Sequence, residues 1–249
     1  MEKIKVGAVS YLNTKPLIYG FEQGMMSDEI ELVMHYPSRI ATMLVNDEID
    51  VGLVPVTVIP ELKEHHLISD FCIGCDGEVA SVGLFSDVPL NKVERVLLDY
   101  QSHASTELLK ILIDEYWRID PVTEMTSDDY REKIKNTTAG LVIGDRAFEQ
   151  RKVSSHMYDL GLEWKNFTGL PFVFATWISN KDLNPSFIES FNKANFAGLQ
   201  SIDEIVHKNP FPLFDLKTYY RSHIQYTLDE NKKRGMSLFL NKCAVKVLN

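Results

Sequence analysis

Four short polar segments, each next to an apolar run, hold the side chains in this chain that are best suited to chemistry. Ser10-Tyr11-Leu12-Asn13-Thr14-Lys15-Pro16-Leu17 follows the apolar run Ile4-Lys5-Val6-Gly7-Ala8-Val9. The pattern predicts a strand whose carboxyl end opens into a polar loop before a helix, the place where open α/β sheets bind ligands. Asn13 both donates and accepts hydrogen bonds, and Ser10, Tyr11 and Thr14 add further donors, so the loop suits a small, oxygen-rich ligand. An ordinary polar turn has the same composition. The second segment, Asp99-Tyr100-Gln101-Ser102-His103-Ala104-Ser105-Thr106, follows Val96-Leu97-Leu98 and leads into a helical pattern carrying Leu108, Leu109, Leu112 and Ile113. A helix N-terminus offers unpaired backbone donors and partial positive charge, so this hydroxyl-rich start can receive a carboxylate without a full cation. Local capping by Ser102 or Ser105 accounts for the same residues, and His103 either balances ligand charge or is a solvated loop histidine. Ser81, in an apolar strand-like stretch, either faces a ligand or bonds a neighbouring carbonyl. Gly144 and Asp145 end another strand, where they line a ligand site or cap the next helix.

Other constellations are incomplete. Cys72-Ile73-Gly74-Cys75 has redox-motif spacing and His65-His66 lies upstream, but no second Cys-x-x-Cys or spaced histidine pair accompanies them. Structural cysteines and a polar histidine loop are expected, and no metal site. The chain has no Gly-x-Ser-x-Gly elbow, Gly-x-Gly-x-x-Gly turn, P-loop or zinc-protease motif, so no cofactor is expected. Trp164, Phe167, Phe172, Phe174 and Trp177 read as core, with one of them available as a wall for a flat ring.

These segments need elements to position them. The 249 residues are 45% hydrophobic, enough for one large domain or two lobes with sizeable cores. A net charge of −9 argues against non-specific binding to nucleic acid or anionic lipid, and requires a local site for any anionic ligand. The start Met1-Glu2-Lys3-Ile4-Lys5 lacks the apolar core of a secretory signal, and no stretch approaches the roughly 20 apolar residues that span a bilayer. With three cysteines and no disulfide framework, a cytoplasmic location is expected.

Pro37-Ser38-Arg39 precedes Ile40, Met43 and Leu44 on one helical face, with Ser38 as the expected N-cap, and a strand follows at residues 51–54. Ser127-Asp128-Asp129 is expected to open a charged helix before the strand Ala139-Gly140-Leu141-Val142-Ile143. Val51-Gly52-Leu53-Val54 and Ala139-Gly140-Leu141-Val142 therefore occupy corresponding places in two α/β lobes with a cleft between them. Residues 79–85 and 171–178 are the expected crossing strands. Phe187, Phe191, Phe196 and Leu199, then Leu238, Leu240, Val245 and Val247, read as helices returning to cover the first lobe. The expected domains are residues 1–85 with 177–249, a discontinuous first lobe, and residues 86–176.

Several of these segments together resemble a known family. Residues 10–17, Asp76-Gly77-Glu78-Val79-Ala80-Ser81-Val82, Ile143-Gly144-Asp145, Tyr158-Asp159-Leu160-Gly161 and Thr168-Gly169-Leu170-Pro171-Phe172-Val173-Phe174-Ala175 are similar to the chorismate dehydratases of the futalosine route to menaquinone. The resemblance implies a two-lobed α/β fold like that of class II periplasmic binding proteins, with the ligand cleft between the lobes. It also implies a cofactor-independent hydro-lyase that converts the dicarboxylate chorismate to 3-enolpyruvylbenzoate, 3-[(1-carboxyvinyl)oxy]benzoate, and water. On this resemblance Asn13 and Ser81 are catalytic, and Ser10, Tyr11, Ser102, His103, Ser105, Thr106, Gly144 and Asp145 bind substrate. No acid–base pair stands out, which fits substrate assistance, the enolpyruvyl carboxylate taking the C3 proton. Two other functions stay open: a non-catalytic binding protein for a small carboxylate, and the sister lyase that forms dihydroxynaphthoate. Residues 10–17 favour the dehydratase.

Overall fold

Short apolar runs alternating with amphipathic segments build two α/β units, seen in a computed structural model that describes residues 3–247. Met1, Glu2, Leu248 and Asn249 lie outside the described residues, as do the side chains of Lys246 and Val247. The first unit begins with β1 (Ile4–Val9), α1 (Lys15–Glu22), β2 (Ile30–His35), α2 (Pro37–Val45), β3 (Val51–Pro55) and β4 (His66–Cys75). The chain then forms β5 (Val82–Ser86), β6 (Arg95–Leu98), α3 (His103–Ile111), β7 (Val122–Met125), β8 (Thr138–Ile143), α4 (Asp145–Gln150), β9 (His156–Asp159) and α5 (Leu160–Thr168) in the second unit. It returns through β10 (Phe172–Ser179), α6 (Pro185–Gln200), α7 (Ile202–Lys208), the single turn α8 (Leu216–Thr218) and β11 (Gln225–Thr227), and ends on α9 (Glu230–Val247).

The two sheets share a plan. The first has the order β11-β4-β10-β3-β1-β2 and the second β7-β6-β8-β5-β9. In each, three parallel strands with the earliest in the middle are followed by an antiparallel one: β2-β1-β3 then β10, and β7-β6-β8 then β5. β3 and β8 thus hold the same place, as their matching sequences implied. Every residue of β3 and all but the first of β8 are buried, as expected of strands covered on both faces.

Packing confirms the apolar face of α2, where Ile40, Met43 and Leu44 join Ile49, Val54, Val58 and Ile178 in one cluster. Pro37 starts that helix and Tyr36 is its N-cap, so Ser38 lies inside the first turn; proline's fixed φ favours this first position. In the same unit α1 and α6 meet at glycines. A Cβ on Gly198 would lie 1.8 Å from the Pro16 carbonyl oxygen, and one on Gly20 would lie 2.2 Å from that of Ala194. The α6 face that approaches this closely carries Phe191, Ala194 and Gly198, which turns Phe196 out to solvent, against expectation.

The units comprise residues 1–74 with 173–230, and residues 75–172 with 231–249. This division departs from the expected boundaries at three places, the smallest being residues 173–176, which fall in the first unit with the rest of β10 after Phe172. Residues 75–86 belong to the second unit because β5 pairs with β8 and β9. The C-terminal helix α9, expected over the first lobe, packs on the second: Phe239 is buried with its ring 4.8 Å from Phe172 and 6.1 Å from Trp164. Residues 127–133 form a loop with one 3₁₀ turn (Arg131–Lys133) in place of the expected helix. Asp129 chelates the Arg131 guanidinium, and Tyr130 is drawn into the core beside Phe85, Leu97 and Val142. Of the expected crossing strands, β10 matches closely, whereas Val79, Ala80 and Ser81 precede β5 in irregular backbone.

Trp164, Phe172, Phe174 and Trp177 are buried core residues, and Cys72 and Cys75 lie buried in β4. His66 pairs with Glu64 at 2.8 Å. Among the described residues no group of three or more His, Cys, Asp or Glu is arranged to hold a metal ion, and no helix is long and apolar enough to cross a membrane.

Candidate functional site

In the second unit, sheet register brings three of the four polar segments to one edge. β6 and β8 run parallel with Leu97 opposite Gly140, so the residues after both strands emerge side by side. β5 runs antiparallel with Val82 opposite Ile143, which puts its start, and hence Ser81, at that same edge. The Gly144 N–H donates to the Ser81 carbonyl at 2.8 Å. Gly144 adopts φ 64° and ψ −150°, a conformation open essentially only to glycine, and α4 begins directly after it.

Ser81 is fully buried, and the backbone around it is fixed from three directions. Ala80, just before it, takes φ 66°, a strained value for a residue with a Cβ. Its N–H donates to Asp159 Oδ2 at 2.8 Å and its carbonyl accepts from Arg151 at 3.0 Å. Asp159 Oδ1 accepts from the N–H groups of Val79, Gly161 and Leu162 at 3.0–3.1 Å, so one carboxylate caps α5 and also clamps the turn before Ser81. Burial pushes this carboxyl up while the backbone donors pull it down. Strain held by so many bonds is characteristic of functional positions.

At the start of α3, Ser102 is the N-cap. Its Oγ accepts from the Ser105 N–H at 3.3 Å and donates to Ser105 Oγ at 2.9 Å. The Thr106 hydroxyl donates to the Asp99 carbonyl at 3.2 Å. Ser102, Ser105 and Thr106 are buried and His103 is exposed. The hydroxyls are thus engaged locally, and the donors left over are backbone ones. Among the described residues no acceptor pairs with the N–H of His103 or Ala104. Two such N–H groups at the positive end of a helix can receive a carboxylate.

Beneath this helix start lies a network that sequence reasoning missed. The buried Asp99 carboxylate accepts from the Gln101 N–H at 2.7 Å, the Tyr130 hydroxyl at 2.9 Å and the Arg146 guanidinium at 2.7 Å. Arg146 also donates to Gln101 Oε1 at 3.0 Å and lies over the Tyr100 ring. The Tyr130 hydroxyl shares its one proton between Asp99 and the Leu141 carbonyl. Burial raises the Asp99 carboxyl against the opposing pull of Arg146, and burial together with Asp99 raises the Tyr130 phenol. The one available signal was adjacency, since Arg146 follows Gly144 and Asp145, and Asp99 opens the α3 segment.

The first unit holds the remaining segment. Ser10 continues the β1–β2 ladder, donating its N–H to the His35 carbonyl at 3.1 Å, and is exposed. Tyr11 is half-buried and extended, and residues Leu12–Thr14 make a 3₁₀ turn leading into α1. Asn13 is half-buried. Its Oδ1 accepts a 3.4 Å contact from the Thr14 hydroxyl, and among the described residues nothing pairs with its Nδ2. The first unit thus presents an amide, and the second an anchored serine and two helix N–H donors at one sheet edge.

Known proteins share this architecture. A protein of Archaeoglobus fulgidus, AF1704, superposes with a TM-score of 0.76 at 16% identity, covering 99% of this chain and 98% of that one. The Candida albicans CA3427 gene product, described as having the generic periplasmic binding protein fold, gives 0.61 at 13% identity over 96% and 90%. The periplasmic aliphatic sulphonate binding protein SsuA of Escherichia coli gives 0.59 at 14% over 98% and 88%. The fold is the two-lobed, class II periplasmic-binding-protein-like α/β fold expected from the sequence. A protein of Thermus thermophilus named chorismate dehydratase is 26% identical over an alignment of 266 residues, which covers 96% of this chain and 94% of the relative. The family described as Menaquinone biosynthesis matches residues 4–245, and by that match, which spans nearly its whole length, the chain belongs to this family.

Proposed function

We propose that this protein is a chorismate dehydratase, a hydro-lyase that converts chorismate to 3-enolpyruvylbenzoate and water for menaquinone synthesis. The observation that carries the reading is end-to-end similarity to the Thermus relative of that name. In the reaction the C3–H and C4–O bonds break, a C3=C4 double bond completes the aromatic ring, and the proton and hydroxyl leave together as water. No electrons leave the substrate, so the step needs neither oxidant nor reductant. The enolpyruvyl carboxylate takes the C3 proton and passes it to the departing C4 hydroxyl, which leaves as water, while charge spreads from C3 onto the ring carboxylate. The His103 and Ala104 N–H groups are suited to receive that carboxylate, as preorganised donors stabilise developing charge in an oxyanion hole. Asn13 hydrogen-bonds the departing C4 hydroxyl, and Ser81, rigidly held, assists. Ser10, Tyr11, Ser102, Ser105, Thr106, Gly144 and Asp145 shape the surroundings, with His103 contributing through its backbone. On this reading the protein works in the cytoplasm, without a cofactor.

The test is direct. Purified protein treated with a chelator and given chorismate, with no nucleotide, flavin or metal added, releases an aromatic product lighter than chorismate by one water, read by mass spectrometry and ultraviolet absorbance. A binding protein, the reading that the fold of SsuA favours, returns chorismate unchanged, as does the sister lyase. Well-folded protein that yields no product sinks the dehydratase reading, and activity only after a metal is restored overturns cofactor independence.

A further inference from the structure

We infer that Tyr226, in the C-terminal part of the first unit, is a positioning residue that sets the orientation of Asn13; the inference rests on the dehydratase reading above. The Tyr226 hydroxyl donates to the Asn13 main-chain carbonyl at 2.9 Å, across 213 residues of sequence. Asn13 sits in the middle of the 3₁₀ turn (Leu12–Thr14), and among the described residues its side chain is held only by the 3.4 Å contact with the Thr14 hydroxyl. The aim of its amide therefore follows from its backbone, and Tyr226 is a long-range group that ties that backbone down.

The pairing of the strand that carries Tyr226 is irregular at this residue, the extra residue lying in β4 opposite it. β11 pairs antiparallel with β4, with Gln225 opposite Gly74 and Thr227 opposite Phe71, so two steps along β11 match three along β4. Such bulges increase the local twist of the paired strands and recur beside active sites. The Gln225 carbonyl accepts from Cys72 Sγ at 3.7 Å, which helps to hold β11 at the irregularity. Tyr226 is buried, and burial, together with Tyr219, Tyr220 and Cys72, holds its phenol well above the ordinary range. It is therefore a permanent donor. A buried tyrosine that only needed a partner for its hydroxyl would serve the fold alone, so the test separates the two roles.

Tyr226→Phe keeps the ring and removes the hydroxyl. Y226F, N13A and the double variant are assayed with chorismate alongside the wild type, and the fold of each is checked by circular dichroism and melting. The expected result is a folded Y226F whose kcat falls about tenfold or more, as displaced catalytic groups do, with KM changed by less than about twofold. In the N13A background the second substitution has no further effect, because the two residues act as one unit. Additive losses, or full kcat in Y226F while N13A is impaired, overturn the positioning role and leave the dehydratase reading standing. Full activity of N13A removes Asn13 from the mechanism and this inference with it. A wild type inert towards chorismate removes the reading itself and the inference resting on it. Should Y226F not fold, Tyr226→Met fills much of the space without a hydroxyl, and the same outcomes decide.

Discussion

A negative charge placed at the start of α3 tests whether that helix end receives a substrate carboxylate. Ser102 is the site to change, because it is the true N-cap, whereas Ser105 lies buried in the third helical position. Asp caps a helix about as well as Ser, so Ser102→Asp preserves the bond to the Ser105 N–H and with it the fold. A substrate carboxylate on the N–H groups of His103 and Ala104 would lie about 4 Å from the new one. At an effective dielectric near 20 the repulsion is about 4 kcal/mol, roughly a thousandfold in affinity. Ser102→Asn is the control, an equally good cap without charge, and should stay within about tenfold of the wild type. Binding is measured by calorimetry with chorismate and by KM, with melting curves as the check on folding. If S102D folds normally and binds chorismate as tightly as S102N, the helix end is only capped and the anion site is refuted.

Three further outcomes follow from the structure. Asn13→Ala should lower kcat by roughly 10²–10³, the usual loss for one preorganised donor, with little change in melting temperature; Ser81→Ala should show a smaller loss, and near-normal turnover in either returns that residue to a structural role. Phe239→Ala should destabilise the protein by about 3–5 kcal/mol, as for other buried phenylalanines, in denaturant titrations, because its ring packs on Trp164 and Phe172; a negligible change would contradict the assignment of α9 to the second unit. Arg131 holds the Asp129 carboxyl down at about 2, so the pair's contribution is present above the ordinary carboxylate pKa and is lost as pH falls towards 2. Arg131→Gln should return the Asp129 titration, followed by carboxyl carbon NMR, to about 3.9, and an unchanged titration would exclude the ion pair as its cause.

Local patterns were enough to locate much of this molecule. The apolar runs of β1, β3, β8 and β10 and the spaced face of α2 were legible because strand and helix periods are written into neighbouring residues. The polar segments at strand ends were legible for the same reason, and three of them do gather at one sheet edge. A periodic pattern states that a face is buried but not what buries it, so the apolar stripe of α9 could not reveal that Trp164 and Phe172 were its partners. Asp99, Tyr130 and Arg146 converge from positions 31 and 47 residues apart, and Asp159 clamps Ala80 from 79 residues away. A lone Asp, Tyr or Arg carries no local signal of such a bond, because its partner is chosen by strand order and register. The sequence by itself determined which segments are strands, helices and polar loops. Only tertiary structure decided which charges are buried together and which backbone donors stay open, because those depend on contacts between residues distant in the chain.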